Sequence, residues 1–440
     1  MKLFAVFVVR VLSSELAGRD GETVEIAGWV HSVRDIKKLL FAVVRDRAGK
    51  VQVTFREPEL LAKARSLGLE DVVVVRGTVR ANPSVKMGGV EVEASSIEVL
   101  SKAASPLPVD VAGKTETGFE ARFDHRFLDL RREKPHALFK VRATLCSAFK
   151  EFLSAHGFLE VHTPKIIATG TEGGTSMFAV KYFERQAFLA QSPQFYKQML
   201  VGAGFERVFE LSPVFRAEEH NTPFHLNEYV SMDVEQGFIK DEGDVMRVCE
   251  QLVSFMVARV KQNNSGELAV FGVDLQPPKT PFPVLRYWEL PEIMALAGKK
   301  FAETDDLSRE HEQIICDYAL KNFGSPFVFV DNYPLQHRPA YTMPLEDRKG
   351  FTRGFDLLFN GLEIVTGGQR IHDYELLQAR FKEKGFKPEN FEFYFEAFKY
   401  GMPPHGGFAI GLERLTAKLL GLQNVREAAF FPRDRTRLVP

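Results

Sequence analysis

Arg216 and Glu218 close an apolar run, RVFELSPVFRAE, and a polar turn with His220 and His225 leads from them into a second run, EYVSMDVEQGF. A guanidinium fixed at a strand end can grip a phosphate with two hydrogen bonds, and an aromatic such as Tyr229 beside it can stack on a base. Period-two alternation puts Asp233 and Glu235 on one face of the second run. In GGFAIGLERLTAKLLG a glycine-rich strand turns into a helix with Glu413 and Arg414 at the junction, where a ligand can approach the backbone and an arginine can reach its phosphates. A third stretch, GFLEVHTPKI, ends a strand-like segment at Pro164. Taken alone, each has an ordinary alternative: a solvated hairpin, a glycine turn, a strand terminator.

The elements that must carry these residues fall into two groups. From Thr23 to about Leu100, short alternating segments are separated by turn signals at Asp46–Gly49, Asn82-Pro83 and Gly88-Gly89. Five short strands with one helical stretch, Glu57 to Leu67, suit a small closed barrel of the oligonucleotide-binding kind. Residues 1–105 hold 16 Lys+Arg against 13 Asp+Glu, so this part is mildly basic while the whole chain carries only −1. Any polyanion must therefore meet a local surface rather than a bulk positive field. Ser105 to Gly118 is rich in Pro, Gly and Thr without periodicity and reads as a hinge. The organisation expected is a barrel domain over 1–103, a hinge over 104–134 and a second domain over 135–440. In the second domain, apolar residues at helical spacing (Leu138, Val141, Leu145, Phe149, Phe152) predict a helix from Pro135 to His156, closed at Gly157. Later strands follow one another without regular helical crossovers, which predicts a mainly antiparallel sheet with flanking helices, an α+β domain.

The 440 residues are 45% hydrophobic and 26% charged, as in an ordinary globular protein, and no apolar run approaches the length of a membrane span. Leu3–Val9 is too short for that; it reads as an extension or a first strand in preference to a secretory signal. Cys146, Cys249 and Cys316 share no metal-ligand spacing and read as buried thiols in a reducing cytoplasm.

In their order and separation the three chemistry-bearing stretches resemble the three signature motifs of class II aminoacyl-tRNA synthetases. QSPQFYKQ at Gln191–Gln198 and the closing FFPRDRTRLVP narrow the resemblance to the aspartyl group of archaeal and eukaryotic-cytosolic type, over nearly the whole chain from Val24 to Pro440. The resemblance implies an ATP-dependent ligase that joins L-aspartate to tRNA through an aspartyl-adenylate, with an N-terminal OB-fold and a class II catalytic domain. It implies that Arg216 holds the α-phosphate and Arg414 the γ-phosphate of ATP, that Glu218 meets the adenine amino group, that Tyr229 stacks on the ring and that His225 approaches the terminal phosphates. Mg2+ would be held by Asp356, Glu363 and Thr366, the last being more often serine in relatives. Lys197 and Arg370 would face the aspartate side chain, and Glu172, Gln194 and Asp233 its ammonium. Two cations favour a carboxylate over an asparagine amide.

In the barrel the resemblance assigns Arg34, Phe41, Gln52 and Glu91 to the anticodon. His31 is a residue that goes with charging of asparagine tRNA as well, whereas Lys86 stands where such relatives carry proline; the two point in opposite directions. Pro164 would lie in the interface of a homodimer. The alternatives are an asparaginyl enzyme, against which Lys197 speaks, and a silent RNA-binding paralogue, against which intact Arg216, Glu363 and Arg414 speak.

Overall fold

The computed structural model describes residues 10–170, 177–219 and 222–440. Leu3–Val9 and Glu172 therefore lie outside the described residues, as does His220. The chain forms two compact units, Met1–Arg132 and Glu133–Pro440.

In the first unit, β1 (Thr23–Asp35), β2 (Leu40–Arg45), β3 (Lys50–Phe55), β4 (Val72–Ala81) and β5 (Val90–Ser101) close a barrel in the order β1-β2-β3-β5-β4. Alternation does the sorting: Val24, Ile26 and Val30 of β1 point inward to meet Leu40, Val53, Val73 and Val92. Gly28 is required where β1 runs close against β2, because a Cβ there would lie 2.2 Å from the Arg45 carbonyl oxygen. The helical stretch expected at Glu57–Leu67 is a helix over Pro58–Arg65, opened by its proline. Residues 104–134, read as a hinge, carry two short helices, Phe119–Asp124 and Arg126–Asp129. Buried Asp129 there gathers Arg122, Arg126 and Arg132. Helices of fewer than two turns are too short to leave a period in the sequence.

The second unit opens with a helix, Glu133–Ala155, that buries Leu138, Val141, Leu145, Phe149 and Phe152. It stops before Gly157, whose φ of +77° suits glycine. Its strands are β6 (Leu159–Glu160), β7 (Ile166–Ile167), β8 (Ala179–Tyr182), β9 (Arg185–Leu189), β10 (Arg207–Phe215), β11 (Glu228–Gly237), β12 (Val284–Arg286), β13 (Phe327–Asp331), β14 (Gly354–Phe359), β15 (Leu362–Arg370) and β16 (His405–Gly411). Eight of them form one sheet, β12-β13-β14-β15-β16-β11-β10-β6, and β7-β9-β8 form a small second one. In the large sheet only the edge pairs β6/β10 and β12/β13 are parallel, matching the antiparallel expectation. Helix Glu242–Asn263 packs against both the first helix and β15 and β16. Pro164 is exposed just beyond β6, between exposed Leu159 and Ile166. The described helices include none long and apolar enough to cross a membrane. All three cysteines are free thiols; Cys249 and Cys316 are buried as expected, whereas Cys146, off the buried stripe of helix Glu133–Ala155, is only half-buried.

Candidate active site

A cavity of about 370 Å³ opens on the large sheet. Gln194, Lys197, Arg216, Glu218, His225, Tyr229, Asp233, Asp356, Glu363, Thr366, Arg370 and Arg414 all line it, although they are scattered over more than 200 positions of sequence. Every second-domain residue singled out for ATP, metal or amino acid thus lines one cavity, except Glu172, which lies outside the described residues.

Local structure explains the convergence. On β11 the period of two turns Tyr229, Ser231 and Asp233 to the cavity. On β15 strict alternation would send Glu363 and Thr366 to opposite faces. The β14/β15 register slips by one residue, with Leu357 opposite Val365 and Leu358 opposite Glu363, and this bulge lets both side chains reach the cavity. Gln194 and Lys197, three apart on the helix Gln194–Leu200, share one face. That helix is anchored from behind by Phe195, stacked on Tyr394 at 4.2 Å within a cluster holding Phe381, Phe391 and Phe395.

At one end the charges are almost wholly shielded from solvent. Lys197 Nζ donates to Asp233 Oδ1 at 2.9 Å and lies 3.3 Å from Glu235 Oε2. Arg370 donates from Nε to Glu235 Oε1 at 3.2 Å, and from Nη2 to Gln194 Oε1 at 3.4 Å and to the Gly407 carbonyl at 3.0 Å. Burial alone would push Glu235 up, but Arg370 and then Lys197 outweigh it and hold the carboxyl below the usual range. The two cations and two carboxylates cancel, so an incoming anion meets a neutral, pre-organised cluster. Asp233 Oδ2 is buried with no hydrogen-bond partner and is open to an ammonium donor.

At the other end Arg414 donates to the Glu363 carbonyl at 3.3 Å, with its guanidinium 3.7 Å from the Glu363 carboxylate. Arg216 lies 5.9 Å from the Tyr229 ring centroid. Thr222 Oγ1 and His225 Nδ1 are hydrogen-bonded at 2.6 Å. Glu363 opens to the cavity yet is walled by protein. Its carboxyl is pushed up to about 7 by desolvation, with Asp356 adding to the rise and Arg414 opposing it. Two hard carboxylates, one raising the other, with a nearby hydroxyl, are the donor set a divalent cation relieves. The described residues contain no cluster of three His, Cys, Asp or Glu for a metal cage.

Sequence reasoning missed Arg338, Gln198 and His405, and gave Glu235 and Glu413 no role. Arg338 is buried, pairs with Asp356 at 2.8 Å, donates to Thr366 Oγ1 at 2.8 Å and lies 3.7 Å over Tyr333. It sits in an irregular segment where no period marks it. Glu413 accepts from Arg142 at 2.7 Å and from the Val230 amide at 3.1 Å, locking the strand-to-helix turn that presents Arg414. The Asp233/Glu235 alternation was the available signal for Glu235.

On the barrel, Arg34 pairs with Phe41 across β1 and β2, and Gln52 with Glu91 across β3 and β5. Phe41 and Gln52 are half-buried on the outer face, outside the barrel core. Glu91 is buried and accepts from Gln52 Nε2 and Thr54 Oγ1, each at 2.7 Å. Its acceptors are thus partly engaged. His31 Nδ1 lies 3.3 Å from Arg45, itself doubly bonded to Glu70, and Lys86 is exposed in the β4–β5 turn.

Residues 118–435 match the family described as tRNA synthetases class II (D, K and N), and residues 24–100 match the OB-fold nucleic acid binding domain. The aspartate--tRNA(Asp) ligase of Pyrococcus horikoshii is 46% identical over 96% of this chain and 97% of its own. The aspartate--tRNA(Asp/Asn) ligase of Methanopyrus kandleri is 48% identical over 96% and 97%. Among solved structures, asparaginyl-tRNA synthetase from Pyrococcus horikoshii complexed with asparaginyl-adenylate superposes with a TM-score of 0.92 at 33% identity, covering 98% of this chain and all of that one. With matches over both units, and with relatives 46–48% identical along almost its entire length, the chain belongs to the class II tRNA synthetases of the D, K and N group.

Proposed function

We propose that the protein activates L-aspartate with ATP to aspartyl-adenylate and transfers the aspartyl group to tRNA. Membership of the family carries ATP use and tRNA as substrate; the choice of amino acid rests on the buried Lys197/Arg370 pair over Asp233 and Glu235. A side-chain carboxylate placed before these cations accepts charge-assisted hydrogen bonds from Lys197 and Arg370, whereas an asparagine amide would present N–H groups to the same donors and forfeit them. The fold cannot make this choice, since an asparaginyl enzyme superposes closely.

In this reading the substrate ammonium is taken by Asp233, whose second oxygen is unpartnered, with Gln194 and Glu172. Arg216 grips the α-phosphate and Arg414 the γ-phosphate; Glu218 meets the adenine amino group, Tyr229 covers the ring and His225 approaches the terminal phosphates. The substrate α-carboxylate attacks the α-phosphorus, pyrophosphate leaves, and fixed guanidinium groups stabilise the charge that develops. The acyl group then passes to the terminal ribose hydroxyl of the tRNA. Asp356, Glu363 and Thr366 would hold Mg2+, which would supply charge neutralisation on the polyphosphate. Arg34, Phe41, Gln52 and Glu91 form the anticodon-facing row of the barrel domain. The chain works as a cytoplasmic homodimer through the exposed edge at Leu159, Pro164 and Ile166.

The test is aminoacylation of purified aspartate and asparagine tRNAs, side by side. Aspartate on the aspartate tRNA is the expected product. Its attachment to both would place the chain with relatives named for two tRNAs, and failure on both refutes the reading.

A further inference from the structure

Behind the carboxylate pocket two buried side chains that the activation chemistry above leaves without a role, His405 and Gln198, connect to Gln194. His405 is fully buried on β16 and sends Nδ1 to the Pro403 carbonyl at 2.9 Å. Its Nε2 lies 2.8 Å from Gln198 Nε2. Gln198 Oε1 in turn accepts from Tyr394 Oη and from Gln194 Nε2, each at 3.0 Å. Gln194 is the member that reaches the cavity.

Each link has only one polarity. A backbone carbonyl can only accept, so His405 carries its proton on Nδ1, and Nε2 of a neutral imidazole can only accept. Burial keeps the ring neutral, pushing its pKa down to about 4 against the pull of Glu235. The Gln198 amide must then turn its NH2 toward His405 and its oxygen toward Gln194. Gln194 is thereby obliged to donate inward, to Gln198 and at 3.4 Å to Glu235, and to leave its oxygen toward Arg370 and the cavity. A glutamine amide is free to flip in isolation; here the long contacts to Glu235 and Arg370, each 3.4 Å, are backed by the shorter 3.0 Å bond to Gln198, whose own direction is set through His405 by a main-chain atom.

The geometry points to His405 as a positioning residue for amino-acid recognition: acting through Gln198, it holds the Gln194 carbonyl oxygen toward the substrate's ammonium and Arg370. This deepens the aspartate-activating reading and rests on it.

Asparagine and glutamine separate the two ring nitrogens. His405→Asn can keep the contact to Pro403 at the Nδ1 position but loses the acceptor for Gln198, and His405→Gln can place an oxygen near the Nε2 position. In aspartate-dependent pyrophosphate exchange without tRNA, His405→Asn is expected to raise the aspartate KM about tenfold, the factor that about 1.4 kcal/mol represents. The ATP KM should stay within about twofold, and His405→Gln should recover most of the loss. Gln198→Met breaks the same relay one link on, and the His405→Asn/Gln198→Met double variant should be no worse than either single one. Melting curves establish that the variants fold; if His405→Asn does not, Gln198→Met alone carries the test on the same KM split. Equal behaviour of the asparagine and glutamine variants, parallel movement of both KM values, or additive single effects would overturn the inference. Absence of exchange by the unaltered protein would instead sink the underlying function.

Discussion

Lys197→Met removes one charge while keeping much of the volume. In the intact protein Lys197 is 2% exposed, with Nζ 2.9 Å from Asp233 and 3.3 Å from Glu235. Deleting the ammonium leaves these two carboxylates facing Arg370 alone, a net −1, and the aspartate side chain would bring it to −2. Two unit charges about 4 Å apart interact by about 4 kcal/mol at an effective dielectric near 20. Removing one member of a buried pair typically costs about 3–5 kcal/mol. Taking about 3 kcal/mol as the differential loss gives a fall of roughly 100-fold or more in kcat/KM for aspartate. The ATP KM, set at the opposite end of the cavity, should move less than about threefold, and preference for aspartate over asparagine should drop at least tenfold because a neutral amide does not suffer the added repulsion. Pyrophosphate exchange with each amino acid, on protein whose melting curve shows it folded, reads all three. Unchanged aspartate activation in that variant would refute the electrostatic reasoning.

Gly407→Ala should destabilise the protein by about 1–3 kcal/mol or more and lower its activity, because the added Cβ would lie 2.1 Å from the Val234 carbonyl and 2.2 Å from Glu235 Oε2; an unchanged melting temperature would contradict this. Phe41→Ala should raise the KM for tRNA about tenfold through a lost base stack and leave tRNA-independent exchange alone; an effect on exchange would argue against an anticodon role. Asp331, remote from the chemistry, is pushed up to about 7 by burial, with its pair to Arg286 opposing and Glu242 reinforcing the rise. A carboxyl raised above its unfolded value near 4 holds its proton more tightly in the fold, so it adds stability at low pH that is lost as pH climbs from about 4 to about 7. Asp331→Asn should flatten the decline of melting temperature across that window, and identical slopes would refute it.

Strand β11 was legible because its alternation survives in the linear chain, as in Asp233 and Glu235 on one face. The two ends of GGFAIGLERLTAKLLG were legible for a similar reason: glycines mark the strand and apolar spacing marks the helix. What escaped was whatever depends on a partner far along the chain. Arg338 matters because Asp356 and Thr366 arrive beside it from β14 and β15. Gln198 and His405, 207 positions apart, meet only when the helix Gln194–Leu200 docks on β16. The bulge at Glu363 was invisible for a different reason, since it is a slip in pairing and no residue type in LEIVTGG announces it. Residues 104–134 lacked periodicity because their helices are too short to show any, although buried Val109, Val111 and Leu128 hold the segment together.

The most direct test of the account is pyrophosphate exchange by the purified protein with ATP, without tRNA, supplied with aspartate or asparagine in turn. Exchange with aspartate is expected to exceed exchange with asparagine by at least two orders of magnitude in kcat/KM, the size expected when a pocket of fixed cationic donors receives an amide in place of a carboxylate. Exchange that is equal, or faster with asparagine, would contradict it.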